Sequence, residues 1–153
     1  MTPIVVTLPY PISANRYWRS FVPRGASRAV VTLSDEAKAY KREVRIALRQ
    51  AGVDDVVQGR LAVHIQLYPE RPKDWQKRAR RDPLGWDDGV RCIDLDNARK
   101  VLYDAMSDVV YRDDSQVWRD SGERMEPDEH GARVVVTISR IERASPQASF
   151  VAA

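Results

Sequence analysis

Eight consecutive residues, Leu61 to Tyr68, constrain the fold of this chain more than any others. Leu61, Val63, Ile65 and Leu67 alternate with Ala62, His64, Gln66 and Tyr68, and residues two apart on a strand share a face. Such a strand is half-buried and needs a second layer to cover its apolar side. Two segments can supply that layer. Ser34 suits a helix N-cap, with Asp35 and Glu36 in the first turn. Ala37, Tyr40, Val44, Ala47, Leu48 and Ala51 then recur at helical spacing until Gly52. Farther on, Ala98, Val101, Leu102, Ala105 and Met106 form one face of a second amphipathic helix. Asn97, Lys100, Asp104 and Ser107 form its other face.

A short strand is expected at Ile4 to Leu8, closed by Pro9 and Pro11, and two late strands at about Gln116 to Met125 and Arg133 to Ile141. The last two are joined by the turn Pro127-Asp128-Glu129-His130-Gly131. The stretch from Asn15 through Arg24-Gly25 to Val30-Val31-Thr32-Leu33 predicts a hairpin or an extended basic loop. Residues 69 to 92, with three of the nine prolines, two tryptophans and many charges, predict a long loop. The order of elements predicts an α/β (α+β) architecture, a mixed β-sheet with two main helices packed against it. With 153 residues the chain is expected to form a single domain over residues 1–143, followed by a disordered tail at 144–153.

Composition narrows the function. An apolar fraction of 43% beside 31% charged residues favours a folded core over disorder. Cys92 is the sole cysteine, which excludes a disulfide framework and a thiolate zinc site and suits a reducing cytoplasm. No charged leader with an apolar run is visible, and no stretch approaches membrane-spanning length, so a cytoplasmic protein without membrane contact is expected. The net charge of +3 is unevenly spread. Residues 1 to 34 hold Arg16, Arg19, Arg24 and Arg28 and no acid, and residues 71 to 91 add Arg71, Lys73, Lys77, Arg78, Arg80, Arg81 and Arg91. Basic zones of this kind suit a polyanion.

Against that background stands an acidic cluster: Asp94-Leu95-Asp96-Asn97, Lys100 one turn later, then Asp113-Asp114. Two carboxylates about 5 Å apart at an effective dielectric near 20 cost each other about 3 kcal/mol. Solvent, protonation or a bound cation relieves this. Two or three carboxylates with open water positions are what Mg²⁺ prefers. Asp94 and Asp96 would share a side of an extended segment, and Asp96 is placed to cap the second helix. The plainer reading makes Asp96 an N-cap, Asp113-Asp114 a solvated turn and Lys100 a helix ion pair. The run is not an EF-hand, because neither its glycine nor its twelfth-position glutamate is in register. A metal-dependent transferase with a D-x-D motif is the remoter option.

Lys77, Arg78, Arg80 and Arg81 are the best run for phosphate contact, with Trp75 and Trp86 as candidate stacking platforms; the plainer reading is a solvated loop. Arg16 and Arg19, with Tyr17 and Trp18, form a second candidate DNA surface or a hairpin with buried aromatics. His64 and His130 have no partner at metal-ligand spacing and read as structural or surface residues. Cys92 reads as a small packed residue. Asp104 reads as an i,i+4 ion-pair partner of Lys100.

Taken together, Leu8-Pro9-Tyr10-Pro11, Asn15-Arg16-Tyr17, Asp94-Leu95-Asp96-Asn97 with Lys100 and Asp104, and Asp113-Asp114-Ser115-Gln116-Val117 resemble the RusA family of Holliday junction resolvases. The resemblance runs from about residue 4 to 141. It implies a Mg²⁺-dependent endodeoxyribonuclease of bacteria or their phages, a homodimer that binds four-way DNA junctions and nicks two strands symmetrically, leaving 5′-phosphates and 3′-hydroxyls. It also implies that Asp94, Asp96 and Asp114 are catalytic carboxylates and metal ligands, and that Lys100 is the catalytic lysine. Arg91 joins the basic residues expected on DNA. One departure stands out: residues 82 to 90, which include Asp87 and Asp88, separate Arg80-Arg81 from the acidic motif. A basic DNA-binding module with structural carboxylates is the alternative.

Overall fold

In the computed structural model, which describes residues 1–143, the Leu61–Tyr68 strand takes an interior position in a four-stranded sheet. The tail expected at 144–153 lies outside the described residues. In chain order the first half holds β1 (Ile4–Pro9), α1 (Ala14–Tyr17), β2 (Trp18–Phe21), β3 (Val30–Leu33) and α2 (Asp35–Gln50). The second half holds β4 (Leu61–Tyr68), α3 (Trp75–Arg81), α4 (Leu95–Met106), β5 (Val117–Arg124) and β6 (Arg133–Arg140). The main sheet runs β1-β6-β4-β5, and β2 and β3 form a separate two-stranded sheet.

The alternation of β4 is realised in its burial. Leu61, Val63, Ile65 and Leu67 are buried, while the residues between them stay partly exposed. Val134, Val136 and Ile138 of β6 continue the same apolar face. Onto it pack Ala37, Tyr40, Val44 and Leu48 of α2 with Ala98, Val101, Leu102, Ala105 and Met106 of α4, in one core. The first of the two long helices starts and stops as its sequence predicts. The Ser34 hydroxyl accepts the Ala37 amide at 3.0 Å, and Gly52, at φ +87°, takes the left-handed turn that releases the chain after α2. The architecture is therefore the expected mixed sheet with two main helices.

Three local expectations are corrected. Residues 69 to 92 are not loop throughout: Trp75–Arg81 is a seven-residue helix with no buried residue. Its run of Gln, Lys, Arg and Ala consists of good helix formers, and the Arg78 guanidinium pairs with Asp74 at 2.9 Å across one turn. The Asn15 region opens as the short helix α1 before the β2–β3 hairpin forms. The two late strands are not neighbours, since β5 lies parallel to β4 on one side and β6 antiparallel to it on the other. Their link passes the end of β4, where Met125 donates to the Leu67 carbonyl at 2.9 Å and Ala132 to Glu70 at 2.9 Å. A parallel pair needs a crossover connection. Here the crossover contains α3 and α4, and α4 carries the acidic motif. Among the described residues no helix is long and apolar enough to cross a membrane.

Candidate active site and nucleic-acid interface

Asp94 is the N-cap residue of α4, and Asp96 lies inside its first turn. The sequence expectation that Asp96 caps the helix is thus off by two positions, because the helix begins at Leu95. The chain turns helical between the two acids, so the extended geometry expected for the pair does not hold. The Asp96 carboxylate accepts from the Lys100 ammonium at 2.8 Å. Lys100 holds that exposed carboxyl below its usual range through this hydrogen bond and its charge. Asp94 lines a groove of about 650 Å³ with Tyr10, Arg16, Arg91 and Asn97. The Asn97 side-chain oxygen accepts the Ala14 amide at 2.7 Å, fastening α1 to α4. The Tyr10 hydroxyl accepts the Ile93 amide at 2.8 Å and donates to the Cys92 sulfur at 3.6 Å. Burial is the main cause that pushes its pKa up to about 12. Cys92 is therefore a partly buried packing partner of Tyr10.

At the other end of α4 the chain passes through Asp113 into a 3-10 turn at Asp114–Gln116. The Asp113 carboxylate accepts the Ser115 amide at 2.9 Å, and hydrogen bonding to Ser115 holds it below its usual range. Asp113 and Asp114 line a groove of about 480 Å³ that extends past Ser107 and Tyr103 to Lys100 and Trp18, but not to Asp94 or Asp96. The helix between the two ends has twelve residues, about 18 Å at the usual rise per residue. Among the described residues no group of three or more His, Cys, Asp or Glu side chains is gathered to hold a metal ion. Asp94 and Asp114 thus line different grooves, while Lys100, paired with Asp96, lines the groove of Asp114. Asp104 does not pair with Lys100. It accepts from the buried Tyr17 hydroxyl and from Lys41 at 3.3 Å, which ties α1, α2 and α4 together. Burial first, then the bond to Asp104, raises the Tyr17 pKa.

Of the basic residues, Arg91 and Arg16 line the Asp94 groove. Arg16 also pairs with Glu36 at 2.7 Å. Arg19 is exposed on β2. Lys77, Arg78, Arg80 and Arg81 lie on α3, and Lys77, Arg78 and Arg81 form a groove of about 400 Å³ with Asp82 and Trp86. Trp86 is only 9% exposed and tilts against Trp75 with ring centroids 6.1 Å apart. The Arg71 guanidinium lies 4.3 Å from the Trp75 ring centroid. Trp86 is thus a packing residue rather than an open stacking platform. Residues 82 to 90 form a pinned turn: Asp82 accepts the Gly85 amide at 3.0 Å, and Arg124 donates to the carbonyls of Asp87 and Val90. Asp87 and Asp88 line neither groove beside α4.

The histidines behave as expected. His64 bonds Ser121 at 2.8 Å and Glu123 at 3.2 Å on the neighbouring strand, and His130 sits in the turn near Glu129. Sequence reasoning missed Arg99, which pairs with Asp120 of β5 at 2.8 Å and lines the Asp113–Asp114 groove. The only signal for it was its place beside Lys100. Tyr103 and Trp18 as walls of that groove were likewise missed.

An α+β domain with carboxylates at both ends of a crossover helix and arginines around it has the chemistry of a protein that handles phosphate backbones. Residues 9–139 match the family model of endodeoxyribonuclease RusA, and the chain belongs to that family. RusA proteins are endodeoxyribonucleases that act on branched DNA junctions and are generally divalent-metal dependent. The chain is also 29% identical, over 101 residues, to the uncharacterized protein YqaN of Bacillus subtilis (strain 168), a similarity covering 62% of this chain and 71% of that protein.

Proposed function

We propose that this chain is a structure-specific endodeoxyribonuclease that resolves Holliday junctions by paired symmetric nicks, in recombination and repair, in the cytoplasm of a bacterial or phage-infected cell. The observation that carries this reading is the exposed Asp96–Lys100 pair on the helix opened by Asp94, inside a chain whose family match runs over residues 9–139. Hydrolysis of a phosphodiester is slow because the nucleophile meets an anion and the leaving alkoxide is poor. Enzymes lower such barriers by about 8–23 kcal/mol. In this reading Asp94, Asp96, Lys100 and Asp114 are the catalytic residues. Lys100 exchanges Asp96 for an oxygen of the scissile phosphate and offsets the charge that builds there. Arg16, Arg19, Arg91 and the α3 residues Lys77, Arg78, Arg80 and Arg81 contact the DNA backbone.

Mg²⁺ is the proposed metal, since carboxylates with water as remaining ligands suit a small hard cation. Among the described residues one chain gathers no group of three such side chains, and Asp94 and Asp114 line different grooves. The proposed assembly is a homodimer. A two-fold axis can face the Asp94 end of one α4 with the Asp114 end of its partner's, and it matches the symmetry of two opposed cuts. The placement of Asp94 and Asp114 in different grooves favours one alternative, a basic DNA-binding module whose carboxylates are structural and that cleaves nothing.

The test is substitution of the acids. Asp94→Asn and Asp96→Asn should each lower junction cleavage by at least about a hundredfold, the scale of losing one charge-handling group in a reacting site. Junction affinity should hold or rise, since repulsion of the DNA falls. Cleavage at the wild-type rate by both variants would refute the assignment.

A further inference from the structure

β2 and β3 form a ribbon that, among the described residues, pairs with no other strand; Trp18 faces Leu33 at one end and Phe21 faces Val30 at the other. A lone two-stranded hairpin is marginal in water, and this one is fastened only at its root. There Trp18 packs edge-on to the buried Tyr17 with ring centroids 4.6 Å apart, the Ser34 amide donates to the Tyr17 carbonyl at 2.9 Å, and Leu33 meets the core. Beyond the root the ribbon stands in solvent. Phe21 is 43% exposed, Val22 60%, Val30 44% and Val31 66%. Single exposed apolar residues are ordinary, whereas several on one projecting element mark a surface that something covers.

Charge identifies the occupant. From Trp18 to Leu33 the chain carries Arg19, Arg24 and Arg28 and no carboxylate, a balance that suits a polyanion. Position agrees, because Trp18 at the ribbon's root lines the groove shared by Lys100 and Asp114. The ribbon therefore rises from a wall of the candidate active site. A two-stranded ribbon is also one of the elements that the major groove of B-DNA, about 12 Å wide, admits.

We propose that the β2–β3 ribbon is a DNA-gripping arm that lies in the major groove of one duplex arm of the branched substrate. Arg19, Arg24 and Arg28 contact phosphates on either side of the groove. Phe21 and its cross-strand partner Val30, which share one face of the ribbon, lie against base edges, where the thymine methyl is the apolar feature available. The proposal rests on the reading of the chain as a protein that binds branched DNA, and it adds Arg24, Arg28 and the apolar tip to the binding surface.

The test measures affinity of the full chain for a synthetic four-way junction as salt rises, with sedimentation of the free protein alongside. Each phosphate neutralised contributes about 0.9 to the slope of log affinity against log salt. The double variant Arg24→Ala, Arg28→Ala should therefore lose roughly 2 from that slope, with an unchanged circular dichroism spectrum. The double variant Phe21→Ser, Val30→Ser should weaken junction binding at every salt concentration while keeping the wild-type slope. Variants that bind as the wild type does would overturn the arm. So would variants that change the oligomeric state and leave the slope intact, since the ribbon would then belong to an interface between copies. If the wild type itself binds no branched DNA, the functional reading fails with it.

Discussion

Asn97 sits in the acidic motif, yet its side chain serves a distant segment: its oxygen accepts the Ala14 amide, 83 residues earlier in the chain. That bond sets α1, and with it Arg16, at the rim of the groove that holds Asp94. Replacing Asn97 with alanine leaves the Ala14 amide without its acceptor and should cost about 1–3 kcal/mol in urea unfolding. Asn97→Asp keeps an acceptor and should recover most of that loss; equal destabilisation by the two variants would show that the bond is not what matters. The Asp96–Lys100 pair was legible in the sequence because four residues on a helix face are neighbours whatever the rest of the chain does. Asn97–Ala14 and Tyr17–Asp104 were not legible. Their partners stand 83 and 87 residues apart, and only the packing of α1 on α4 brings them together.

At the scale of elements, α2, β4 and α4 announced themselves because period 3.6 and period 2 are local properties. The order of strands was not announced. Nothing in the sequences of β5 and β6 states that β4 will lie between them, and the turn-rich link after Met125 reads equally well as a hairpin. A clamp in that link is open to test. Arg133 donates to both oxygens of Asp128 at 2.7 Å. This bonding, more than any other cause, lowers the Asp128 pKa from the usual 3.8 to about 2. A carboxyl whose folded value lies below its unfolded one stabilises the fold above the unfolded value, and that contribution is lost as pH falls through the folded one. Stability of the wild type should therefore drop between about pH 4 and pH 2 more steeply than that of Asp128→Asn. Parallel urea midpoints for the two proteins across that window would contradict the clamp.

For the whole molecule, the family is carried by the order of short motifs along the chain, from Leu8-Pro9-Tyr10-Pro11 to Asp113-Asp114, so it could be read before any fold was known. The spatial relation of those motifs could not. Asp94 and Asp114 line separate grooves, and Lys100, paired with Asp96, lines the groove of Asp114. In the proposed function these chains cut branched DNA. Its most direct test is a four-way junction labelled in turn on each strand, incubated with the wild-type chain with and without Mg²⁺. Nicks should fall at symmetric positions in two opposed strands, only with the metal, and none in linear duplex of the same sequence. Intact strands on a junction that the protein binds in the presence of Mg²⁺, or equal cutting of the linear duplex, would contradict it.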